Sequence, residues 1–99
     1  MAIALAYVTF PDEGTAKSMA RNLVEAKLAA CTNIFHIASV YEWEGKVEDS
    51  EEFVALFKTS PESYDEMAAA IEAAHPYDVP CIMRLDVTAN AAYEAWVRS

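Results

Sequence analysis

The chain has 99 residues, of which 55% are apolar and 23% charged. That is the length of a single domain, spanning residues 1–99, and it excludes disorder, which joins low hydrophobicity to high net charge. Sixteen acids against seven bases leave a net charge of −9, which argues against nucleic acid and anionic membranes as partners and favours cations, metal ions included.

Ile3 to Phe10 reads as a strand that is apolar at both odd and even positions, so it is covered on both faces. Pro11, Asp12 and Glu13 end this apolar run too early for a signal peptide or a membrane span, and no basic flank precedes it. The expected location is the cytoplasm. Asp12 caps a following helix, with Glu13 near its positive end. Ala16, Met19, Ala20, Leu23, Val24 and Leu28 make its apolar stripe.

Thr32 to Trp43 and Val47 to Thr59 are rich in β-branched and aromatic residues and flank a Glu44-Gly45-Lys46 turn. Each strand of this hairpin is about twelve residues, against the usual five or six. A strand that overhangs its own domain has to pair with something, and another copy of the chain is the natural partner. Ser60-Pro61-Glu62 starts a second helix, buried through Tyr64, Met67, Ala68 and Ile71 and stopped by His75-Pro76-Tyr77. Cys81 to Thr88 alternates as a fourth strand, and Ala89 to Arg98 forms a short terminal helix with Tyr93 and Trp96.

The order β-α-β-β-α-β-α predicts an α+β fold, the ferredoxin-like βαββαβ plait with a short C-terminal helix. Two helices cover one sheet face and leave the other bare. A chain this short has much surface for its volume, so its apolar surplus also points to assembly. The acids have a plain role in such an assembly, which is to keep an apolar oligomer soluble.

The chemistry-bearing residues fall into four groups. Cys31 with His36 has the types of a nucleophile and its base, but Cys31 sits among alanines, as an inert core thiol does. Nothing else forms a nucleophile-base-orienter set, so no enzymatic reaction is expected. The acids crowding the hairpin turn lack the fixed offsets of a calcium loop, and a strand splits them between faces. The stiff loop His75-Pro76-Tyr77-Asp78-Val79-Pro80-Cys81 offers an imidazole and a thiol, which suit soft metals such as copper or zinc. Two ligands are too few for a closed zinc site, so a third ligand or a second copy is needed. The plain alternative makes His75 a helix end and Cys81 a core residue. Lys58, beside an apolar run, needs an anion or a carboxylate such as Glu52. Together with Tyr41, Trp43, Tyr77 and Trp96 these residues form either a small-ligand cleft or an interfacial ion pair packed by aromatics.

Four motifs in order resemble the CutA family of divalent-cation tolerance proteins. They are Ala29-Ala30-Cys31-Thr32-Asn33-Ile34, Ser39-Val40-Tyr41-Glu42-Trp43-Glu44-Gly45-Lys46-Val47, Lys58-Thr59 and His75-Pro76-Tyr77-Asp78-Val79-Pro80. The resemblance runs from the Pro11-Asp12-Glu13 turn to Tyr93 and Trp96. It implies a homotrimer with hairpins pairing across subunits, and tolerance or binding of copper and other divalent cations, none of them an obligatory cofactor. It also implies a likeness to the trimeric PII signalling proteins. Two alternatives follow: a signalling module that binds a small anion in the inter-subunit cleft through Lys58, or a purely structural trimer. Carried over by position, the family's metal histidine falls on His75 and its carboxylate on Cys81, so the expected metal residues are His75 and Cys81. A cysteine of some members falls on Val8, which cannot ligate; His36 replaces a common proline and Asn90 a common glycine. Tyr41, Trp43, Glu52, Lys58, Tyr77 and Trp96 keep the pattern of the residues that gather at the cleft between subunits.

Overall fold

A computed structural model describes residues 3–99. Met1 and Ala2, the start of the apolar opening run, lie outside the described residues. The elements are β1 (Ile3–Phe10), α1 (Glu13–Glu25), β2 (Cys31–Trp43), β3 (Lys46–Thr59), α2 (Tyr64–Ala74, entered through one 3-10 turn at Pro61–Ser63), β4 (Ile82–Val87) and α3 (Ala91–Arg98). The strands form one antiparallel sheet in the order β2-β3-β1-β4, the order of the expected plait.

Parity along the strands decides the two faces. Ala4, Ala6, Val8 and Phe10 of β1 stand opposite Thr59, Phe57, Ala55 and Phe53 of β3. Together with Ala16 and Leu23 of α1 and Met67 and Ile71 of α2 they make the core. The even residues of β1 are small near its start, which lets the helices settle closely on the sheet. Phe10, Phe57, Met67 and Ile71 fill the rest and are fully buried.

The opposite face carries Phe35, Met83 and Leu85, which are 43%, 51% and 45% exposed. It is not wholly bare. α3 packs against β1 and β3, and Ile3 and Val97 are buried. The expectation of helices on one face only therefore holds for α1 and α2, while the short terminal helix covers one end of the sheet.

α1 and the 3-10 turn that leads into α2 begin as their sequence dictates. Asp12 Oδ1 accepts from Thr15 N–H at 2.7 Å, and Ser60 Oγ accepts from Ser63 N–H at 3.2 Å, just ahead of Pro61. The end of α1 differs from expectation. Leu28 is not on the helix stripe, because Lys27 turns into the left-handed region at φ 64°. Leu28 N–H then bonds the Leu23 carbonyl at 2.9 Å and Lys27 N–H bonds the Val24 carbonyl at 3.1 Å. These two bonds make a Schellman closure, in which Leu28 folds back onto the core beside the helix end.

The hairpin turn is a two-residue connection between the paired Trp43 and Lys46. Glu44 and Gly45 have φ of 52° and 80°. Two consecutive positive φ values mark a type I′ turn, whose twist matches that of the strands. β1 pairs with β3 only as far as Phe53, so beyond that point β2 and β3 continue as a two-stranded arm. The arm accounts for the 45 Å long axis of a molecule only 23 × 20 Å across.

Candidate ligand cleft

The cleft lies where the arm leaves the sheet, at the end of β1. Three segments meet there: Thr9 on β1, the arm through Tyr41, Trp43 and Glu52, and the loop after α2 through Tyr77 and Asp78. They enclose about 500 Å³, a volume typical of small-ligand sites. Cys81 and Val79 also line it.

The loop is held in place by His75. The residue before Pro76 avoids the helical region, and His75 ends α2 in an extended conformation at φ −72°, ψ 139°. Its Nε2–H donates to the Thr9 carbonyl at 2.8 Å, and its Nδ1 accepts from Tyr77 N–H at 3.1 Å. A carbonyl on one nitrogen and an N–H on the other define a neutral imidazole with its proton on Nε2. The ring stacks on Phe10 at 4.8 Å and lies 4.9 Å from the Tyr77 ring. His75 thus ties the end of β1 to the loop and sets the direction of Tyr77.

Tyr77 spans the cleft wall. Its hydroxyl donates to Glu52 Oε2 at 2.7 Å. Burial, and then the carboxylate it serves, push its pKa well above the ordinary phenol value. The Cys81 thiol is also pushed up, by burial first and by the Glu52 charge second. Both shifts come first from burial, and the Glu52 charge adds to each.

The residues named from sequence divide into two groups. Tyr41, Trp43, Glu52 and Tyr77 line one cleft, joined by Cys81. Lys58 and Trp96 are elsewhere in the chain. Lys58 Nζ donates to Tyr93 Oη at 3.1 Å and sits 5.3 Å from the centre of that ring; the Tyr93 ring is in turn 5.7 Å from that of Trp96. Glu52 is therefore not the partner of Lys58 within a chain. Six strand residues at about 3.3 Å each put the two roughly 20 Å apart. Tyr93 is the partner that sequence reasoning missed; its signal was the aromatic stripe of α3.

Cys31 and His36 lie on opposite faces of β2, since their numbers differ in parity. Cys31 stands opposite Lys58, whereas His36 reaches Glu51 Oε1 at 2.6 Å on the arm. The nucleophile-base pairing is thus impossible within the strand.

As a resident metal centre, one chain is incomplete. Both His75 nitrogens are engaged, the Cys81 thiol is held protonated, and among the described residues no three His, Cys, Asp or Glu side chains converge on one point. The donor set of a single copy does not fit a tightly held metal cofactor.

Residues 4–99 match the family of the CutA1 divalent ion tolerance protein. The chain belongs to that family. A divalent-cation tolerance protein CutA of Thermococcus kodakarensis is 39% identical over 94 residues, covering 94% of this chain and 90% of the relative. Human protein CutA is 39% identical over 98 residues, 97% of this chain and 55% of its own length. Among solved structures, CutA from Synechococcus elongatus superposes with a TM-score of 0.93 at 34% identity, covering 97% of this chain and 87% of that one. The protein from Archaeoglobus fulgidus, described as a periplasmic divalent cation tolerance protein, gives 0.91 at 36% identity over 96% and 94%. The family is named for a tolerance and not for a reaction.

Proposed function

We propose that this member of the family works as a homotrimer that binds divalent cations, copper foremost, as passing cargo and not as an obligatory cofactor. The observation that carries the reading is the negative cleft. The carboxylates of Glu52 and Asp78 line one space beside Cys81 on a chain of net charge −9, and among the described residues no lysine or arginine lines it. An incoming cation gains from that field before any specific ligand acts.

Within this reading Cys81 is the metal ligand that each copy offers, and a partner copy completes the set. His75 would ligate only after giving up its contact with Tyr77 N–H, so it acts mainly by holding the loop. Titration with Cu(I), Cu(II) and Zn(II) tests this. Cys81→Ala should weaken binding more than His75→Ala, and affinity should rise with pH because the raised thiol has to lose its proton. Tight binding that neither substitution weakens would sink the assignment.

Trimer assembly is supported by the exposed apolar sheet face and by the unpaired edge of the arm. Light scattering of the purified protein should return three times the 10.9 kDa of one chain. The cytoplasm remains the proposed location, since two free thiols suit a reducing compartment. Among the described residues no helix is long and apolar enough to cross a membrane. The signalling alternative draws on Lys58, which is held by an uncharged phenol in this chain. A metabolite-anion thermal shift abolished by Lys58→Ala would favour it.

A further inference from the structure

We propose that the groove between α1 and α2 binds a linear aliphatic diamine or polyamine. One ammonium lies at Asp12 and the end of α2, the methylenes lie on Met19 and Leu23, and a second ammonium lies at Glu66. The inference does not rest on the divalent-cation reading. The groove is on the helix side of the sheet, away from the face proposed to meet other copies.

Each of these helices runs back along the strand before it, and β1 and β3 are antiparallel, so α1 and α2 are antiparallel as well. The end of α2 at Ala74 therefore lies beside the start of α1 at Asp12 and Gly14. Helices set side by side normally close through interdigitating side chains. Here α1 presents Thr15 and Ser18 and α2 presents Ala70 and Ala74, all of them short, and a groove of about 470 Å³ stays open. Met19 and Leu23, 8% and 6% exposed, make its apolar floor.

The charge pattern fits a molecule with two cationic ends. Among the described residues no lysine or arginine lines the groove. At one end the Thr15 N–H holds the Asp12 carboxyl below the usual carboxylate range, and that charge offsets the positive end of α1. Beside it α2 has no basic side chain in its last turn, and among the described residues no N–H of the following loop bonds its last carbonyls. Pro76 has no N–H, and the Tyr77 N–H is taken by His75 Nδ1. These carbonyls form the negative pole of α2 and still need donors. An ammonium brings three. At the other end Glu66, exposed and in the first turn of α2, stands on the face that carries Ala70 and Ala74. Eight residues of helix put it roughly 12 Å from Ala74. Between the two ends the Ser18 hydroxyl and the Asn22 amide offer further acceptors above the apolar floor.

Calorimetry on the unaltered protein compares octamethylenediamine with trimethylenediamine. The two carry equal charge, and only the longer one spans the groove. It should bind at least about tenfold more tightly, through its second ammonium and its covered methylenes. Ala70→Phe fills the groove without a change of charge and should weaken the longer diamine by roughly tenfold. Ser18→Phe, at an exposed position of the other wall, serves the same purpose if Ala70→Phe does not fold. Asp12→Asn keeps the helix cap, and it and Glu66→Gln should each weaken binding by roughly three- to tenfold. Glu72→Gln removes the same charge from another face of α2 and should leave binding unchanged. Each variant is first checked for native circular dichroism and mass. Equal affinity for the two diamines would overturn the proposal, as would no binding at millimolar concentration or a folded groove-filling variant that binds normally. A loss in Glu72→Gln equal to that in Glu66→Gln would overturn it too, since it would mark attraction to net charge alone.

Discussion

Tyr77 joins loop to arm through one hydrogen bond, and its proton makes that joint sensitive to alkali. The folded chain keeps the phenol protonated above the ordinary value of 10.0, while the unfolded chain releases the proton there. The unfolded state therefore gains from rising pH first. The stabilising contribution is complete below pH 10.0 and declines as pH rises toward the folded value. Denaturation followed across this range should show the decline in the native protein and a flatter curve in Tyr77→Phe. At neutral pH that variant should be about 1 kcal/mol less stable, the net worth of the lost bond to Glu52. Lys27 offers a change of opposite sign. A side chain bearing a Cβ at φ 64° is strained, and the Schellman closure asks for glycine there, so Lys27→Gly should stabilise the chain by about 1 kcal/mol in urea unfolding.

The arm shows how much one turn decides. With Glu44 and Gly45 both at positive φ, the twist of the turn continues the twist of the strands and keeps Trp43 opposite Lys46. A Cβ at Gly45 meets nothing within 4 Å, so Gly45→Ala adds no clash and its cost is purely backbone. That cost should be about 1–2 kcal/mol, read as faster amide exchange in residues 40–50 than in the core strands. Glu44→Asn should slow the same exchange, because asparagine tolerates this region better. Most of the element boundaries were legible in the sequence for local reasons: the continuous apolar run of β1, the Ser60-Pro61 entry and the Gly45 turn each act over a few residues. The end of α1 was not, because a lysine stands where the usual signal is glycine. α3 begins at Ala91 and not at Ala89, since Asn90 is extended at ψ 151°.

At the scale of the whole molecule, a 6070 Å² surface carries Phe35, Met83 and Leu85 on one sheet face. Covering a leucine side chain contributes about 2 kcal/mol, so a charged residue there should cost assembly more than folding. Leu85→Lys is expected to reduce the scattering mass from three chains toward one at low concentration while helical circular dichroism persists. Phe57→Ala, in the fully buried core, should instead lower folding stability by about 3–5 kcal/mol. The contrast separates the face proposed to meet other copies from the face turned to the helices.

The sequence alone determined the βαββαβ order, the two-faced burial of β1, the overlong arm and the acidic balance. Each follows from periodicity, capping or composition, which act locally or add up along the chain. It also grouped Tyr41, Trp43, Glu52 and Tyr77 with Lys58 and Trp96, of which the structure brings only the first four to one cleft. Only the tertiary structure decided that Lys58 turns to Tyr93, that Cys31 and His36 face apart, and that His75 spends both nitrogens on Thr9 and Tyr77. Those outcomes depend on strand register and on contacts between residues as far as 66 positions apart, and local pattern carries no information about either.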